Sequence, residues 1–216
     1  MISIQSALPQ HEISVLAGAS GVGKSTPAVQ LMATISSGAP FLGVLQFPHE
    51  RSRKVGYIVA DRSITSVRSH ADRVGFDIDA DTITVSIVDD LDVNLSHLKA
   101  DALGELEHII TKLVNAAADL VVVDPIMVFL GTDLNRYHLV APLLIRLNRF
   151  AKQVGVTILG IHHTTKARSD FAFLRPQDRI SGSSALSAFT STQWALTGPE
   201  ELPEMQREQQ LSVESA

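Results

Sequence analysis

The chain has 216 residues, 45% hydrophobic and 19% charged, which is enough for one domain with a substantial core and is not the balance of a disordered chain. Zero cysteines exclude a disulfide framework and a thiolate metal site, and no uncharged apolar run reaches the ~18 residues that a membrane span needs. A net charge of −5 argues against a broad basic face for coating a duplex, so any nucleic-acid contact is expected from a few local loops, as in a channel or ring lumen.

β-Branched runs alternate with amphipathic stretches, which predicts an α/β fold with a mainly parallel central sheet flanked by helices. The first strand covers 13–17 and runs into a glycine-rich loop. A helix follows to about Ser37, with Val29, Leu31, Met32 and Ile35 inward and Pro27 in its first turn, where a missing N–H is tolerated. A second strand over 54–60 leads to Asp61. Ser63 reads as a helix cap, and Ile64, Val67, Ala71 and Val74 recur at helical spacing before Gly75.

A third strand is expected over 82–88, then a long helix with Leu103, Leu106, Ile110, Leu113 and Ala117 on one face. Residues 120–124 form an uninterrupted apolar run ending in Asp124, as in strands buried on both faces. Val140, Leu144, Leu147 and Ala151 mark another helix, and 156–161 and 192–196 two more strands. Loops are expected over 130–137 and 167–184, both after strand ends, where open α/β sheets place their ligands. The expected division is one domain over 1–198 and a polar tail over 199–216, with Leu211-Ser212-Val213 as the start of a further strand. The N-terminus shows no basic region followed by an apolar stretch, which predicts a cytoplasmic protein.

Gly18, Gly23, Lys24 and Ser25 match G-x-x-x-x-G-K-[ST], with Gly21 in addition. Glycines let backbone N–H groups turn inward onto phosphate oxygens, and the following helix adds the positive end of its dipole. The pattern predicts ATP held by Ala19, Ser20, Gly21, Val22, Gly23, Lys24, Ser25 and Thr26, with Lys24 on the β- and γ-phosphates and Ser25 on Mg²⁺. A glycine-rich turn that binds nothing is the bland alternative; strand, loop and helix in sequence favour the phosphate site.

Asp124, at the tip of an apolar strand, is expected to hold the metal directly or through water. An aspartate there is also an ordinary turn residue. Asp61, at a neighbouring strand tip, is a candidate for orienting the attacking water; otherwise it simply flanks a helix. His162 and His163 follow the 156–161 strand and must point to opposite faces, so at most one faces nucleotide and a structural role for both is the alternative. No partner cluster with zinc-ligand spacing accompanies them.

With these segments, the chain resembles the ATPase core of RepA-type hexameric replicative helicases, within the RecA/DnaB-like superfamily. The matching segments are 18–26, 37–43, 55–61, 121–126, 162–166 and 182–186, in the family's order and spanning nearly all of 10–198. The loop at 18–26 is specific alone; the others are specific as an ordered set. The resemblance implies a RecA-like sheet, ATP hydrolysis at subunit interfaces and a homo-oligomeric ring, a hexamer in that family, around single-stranded DNA.

It places Asp61 where the family has a catalytic glutamate, and His163 at the γ-phosphate sensor position. Lys166 and Arg168 become candidates for a finger reaching a neighbour's nucleotide, or else solvated loop charges. The loops at 130–138 and 167–182 correspond to DNA-contacting loops, with Arg136, Lys166, Arg168, Arg175 and Arg179 as cations and Tyr137, Phe171 and Phe173 as stacking surfaces. The family continues past the position of Ala216 with a strand and basic residues that complete the interface. Two other readings remain open: a nucleotide-gated DNA-binding or assembly module with weak hydrolysis, and a small-molecule kinase with an arginine-bearing lid over 167–182.

Overall fold

The computed structural model describes residues 8–37, 40–42, 54–60, 64–78, 82–86, 95–132, 136–163 and 184–196. In chain order these form β1 (Ile13–Gly18), α1 (Ser25–Ser37), β2 (Lys54–Val59), α2 (Ile64–Arg73), β3 (Thr82–Ser86), α3 (Leu95–Asn115) and β4 (Ala118–Asp124). Then follow the single turn α4 (Met127–Leu130), α5 (Tyr137–Val154), β5 (Thr157–His163), α6 (Ser184–Phe189) and β6 (Thr192–Leu196). The six strands make one sheet, in the order β3-β2-β4-β5-β1-β6, and every neighbouring pair is parallel.

Strand periodicity divides the core into two layers. Leu16, Val55, Tyr57, Val59, Leu120, Val122, Leu159 and Ile161 face α1 and α2. Ile13, Ile58, Val121, Val123 and Ile158 face α3 and α5, while Val15 and Ala17 pack on α5 and α6. The leftward steps β1→β2→β3 therefore cross one face, and the rightward steps β3→β4→β5→β6 cross the other. That alternation keeps every crossover right-handed, as parallel strand–helix–strand units require. Strand order reverses beside β1, so the crevice at its C-terminal end lies between connections that leave to opposite faces.

The expected apolar faces are the observed ones: Val29, Leu31, Met32 and Ile35 of α1 and Val140, Leu144, Leu147 and Ala151 of α5 are all buried. Three local readings change. Ala117 is not on the α3 face; it follows the helix at φ 73° and is exposed, turning the chain into β4. The 130–137 stretch is not all loop, because α4 ends at Leu130, Gly131 closes it in the left-handed region, and Tyr137 already begins α5. Asp101 breaks α3 at φ −146°, and its Oδ1 accepts the Gly104 N–H at 2.9 Å, capping the longer second segment. The Ser63 cap and residues 87–88 of the third strand lie outside the described residues. Among the described residues no helix is long and apolar enough to cross a membrane.

Candidate functional site

The site begins where β1 ends. Gly18 has no room for a side chain, since a Cβ would lie 2.7 Å from Leu196 O on β6 and 2.9 Å from Val22 Cγ1. Gly21 and Gly23 adopt φ of 82° and 94°, which side-chain-bearing residues reach only at a cost. A Cβ at either would meet nothing within 4 Å, so both glycines border open space. Val22 N donates to Ala19 O and Thr26 N to Gly23 O, closing the loop into the first turn of α1.

Ser20, Gly21 and Gly23 are exposed, whereas Lys24 and Ser25 are buried beneath them. Lys24 folds back, and its Nζ donates to Gly18 O and Ala19 O at 2.8 Å each. An ammonium is thereby held at the base of the loop, beside the N-terminus of α1, whose dipole also favours an anion.

Strand parity brings the distant candidates to the same face. Asp124 follows Leu120 and Val122 at even spacing, so it faces the α1 layer, and it is fully buried. His163 follows Leu159 and Ile161 onto that layer and is partly exposed, whereas His162 is buried on the α5 layer. In register, His163 pairs with Gly18 and His162 with Ala17. β5 lies between β1 and β4, so the loop, His163 and Asp124 come from three adjacent strands and meet at one edge of the sheet.

Asp61 lies outside the described residues; the preceding Ala60 donates its N–H to Asp124 O at 2.8 Å, tying the ends of β2 and β4 together. Lys166, Arg168, Arg175, Arg179, Phe171 and Phe173 also lie outside the described residues. Arg136 is exposed at the N-cap of α5. Tyr137, half exposed, tilts against Phe189 of α6 with ring centroids 6.2 Å apart.

Sequence reasoning missed Tyr57. Its hydroxyl donates to Asp124 Oδ2 at 2.8 Å, and both side chains are fully buried. In the sequence it reads as one apolar position of a strand. The available signal was its parity with Val55 and Val59, which predicts the α1 face, together with a phenol that needs a partner when buried.

One carboxylate and one hydroxyl suit a hard cation held together with phosphate oxygens, and the neighbouring ammonium suits the phosphates themselves. Among the described residues no group of three or more His, Cys, Asp or Glu gathers into a metal-holding cluster of its own. A magnesium ion that takes its remaining ligands from nucleotide and water fits this arrangement.

Residues 3–169 match the family described as AAA domain. In shape the chain is similar to a KaiC-like protein from the hyperthermophilic archaeon Pyrococcus horikoshii OT3, with a TM-score of 0.52 at 17% identity. That match covers 85% of this chain and 69% of the archaeal one, and at such identity it speaks for the fold alone. No curated protein matches the chain in sequence. The family match spans well over half of the chain, including β1, the glycine loop and Asp124, and the chain therefore belongs to the AAA domain family, as a P-loop ATPase domain with a RecA-like α/β fold.

Proposed function

We propose that this chain is a magnesium-dependent ATPase that couples hydrolysis to movement along, or remodelling of, single-stranded DNA, as a replicative helicase core does. The observation that carries the ATPase half is the meeting of the 18–26 loop, Asp124 and His163 at one sheet edge on the α1 face. In this reading 1–198 is the working domain and 199–216 an appended tail.

Ala19 to Thr26 bind the triphosphate, and Lys24 turns from the Gly18 and Ala19 carbonyls towards the β- and γ-phosphates. Ser25 and Asp124 would hold the magnesium ion, which supplies charge neutralisation on the phosphates when bound. Asp61 orients the attacking water and accepts its proton, and His163 hydrogen-bonds the γ-phosphate and transmits its loss to the segment that follows. Most of the acceleration then comes from positioning and electrostatics.

The DNA half is supported by the resemblance to RepA-type helicases and by the placement of Arg136 and Tyr137 at an exposed helix start. A homo-oligomeric ring would let Lys166 or Arg168 complete a neighbour's site. Phosphate release with and without single-stranded DNA, at several salt concentrations, tests it. Stimulation by the strand is expected. Turnover without stimulation would leave an ATPase that does not act on DNA. Negligible turnover with retained nucleotide-dependent DNA binding would favour the assembly module, a reading that Asp61 in place of a longer glutamate already motivates.

A further inference from the structure

Tyr57 sits on β2 opposite Val122 of β4, and its ring points to the same face as Asp124, two residues further along β4. That diagonal is within reach of a long side chain, and the phenol spans it to Asp124 Oδ2. A carboxylate's terminal torsion is otherwise broad and roughly two-fold. Here one oxygen is pinned from within the sheet by a phenol as buried as the carboxylate itself, both residues being 0% exposed. The backbone is fixed as well: Ala60 N bonds Asp124 O from the same strand that carries Tyr57.

We infer that Tyr57 is a positioning residue that orients the Asp124 carboxylate for the magnesium ion of Mg-ATP. The inference rests on the proposed reading of Asp124 as a metal-holding residue and deepens it. The phenol takes no part in the reaction. It narrows the carboxylate to one orientation before metal arrives, as outer hydrogen-bonding partners of metal ligands commonly do. Its removal therefore weakens the response to magnesium, while the contacts that shape the phosphate-binding loop, Val22 N to Ala19 O, Thr26 N to Gly23 O and Lys24 Nζ to Gly18 O and Ala19 O, do not involve it.

The test is a magnesium titration of fluorescent ATP-analogue binding to the full chain, with the same binding measured in chelator and thermal melting of each variant as companion readouts. Tyr57→Phe keeps the ring and removes only the hydroxyl. It should raise the half-saturating magnesium about tenfold, with binding in chelator unchanged. Asp124→Asn should raise it at least as far, and the double variant no further than Asp124→Asn alone, because the two side chains act as one unit. Tyr57→Leu, which also lacks the hydroxyl, should repeat the shift and stands in if Tyr57→Phe does not fold. A wild-type magnesium dependence in a folded hydroxyl-free variant, beside a shifted Asp124→Asn, overturns the role of Tyr57 and spares that of Asp124. Wild-type dependence in Asp124→Asn overturns both.

Discussion

His163 lies opposite Gly18 in the parallel register of β5 and β1, at the strand end that opens into the glycine loop. Its neighbour His162 lies opposite Ala17 and points into the other layer, 1% exposed. Two adjacent histidines thus have separable effects. His163→Ala is expected to keep nucleotide binding and lower kcat by about a hundredfold, the usual effect of removing one preorganised donor. His162→Ala is expected instead to lower stability by about 1–3 kcal/mol, the range for disturbing a buried polar group. Steady-state kinetics and denaturant melts on both variants separate the two. Equal kinetic losses in both would argue against the assignment by face.

How much of this was legible in the sequence depends on length and period. The glycine loop was readable because its spacing is tied to one geometry, and the α1 and α5 faces because thirteen and eighteen residues carry several helical periods. The four-residue α4 and six-residue α6 carry too few positions to show any period. Ala117 extended the α3 pattern by chance, but the chain had to leave the helix in a left-handed turn to enter β4. Parity could place Tyr57 on the α1 face, but its partner could not be read, because it lies 67 positions away and no local spacing encodes that contact.

Gly160 permits the turn after Asp124. A Cβ there would lie 2.8 Å from Ile126 Cδ1, 3.0 Å from Cγ2 and 3.1 Å from Cβ, while Ile126 N donates to Ile161 O at 3.0 Å. Gly160→Ala should destabilise the fold by about 1–3 kcal/mol through overpacking. Ile126→Val removes the nearest methyl and should recover part of that loss in the double variant. Chemical denaturation of the two singles and the double measures the coupling. Simple additivity would show that the contact is not the cause.

Glu12 links three elements near the base of the sheet. Its carboxylate accepts from Ser191 Oγ, and Lys152 Nζ lies 3.0 Å away. The Ser191 hydrogen bond first, and Lys152 second, hold its pKa below the ordinary glutamate value, against the opposing effect of burial. A depressed folded-state pKa means stability that is present above the unfolded value and lost as pH falls through the folded one. Glu12→Gln should therefore melt below the wild type near neutrality, with the gap closing on acidification. A gap that does not depend on pH would contradict this. The effect is modest because the pair is partly solvated.

The proposed ATPase requires a triphosphate docked on the 18–26 loop against Lys24. Calorimetric titration of Mg-ATP into the wild type and Lys24→Ala tests it most directly. The wild type should bind, and the variant, still folded, should lose about a hundredfold or more in affinity, in keeping with about 3 kcal/mol for a charge-assisted contact to phosphate. Equal affinity in the two proteins would place the nucleotide elsewhere and contradict the account.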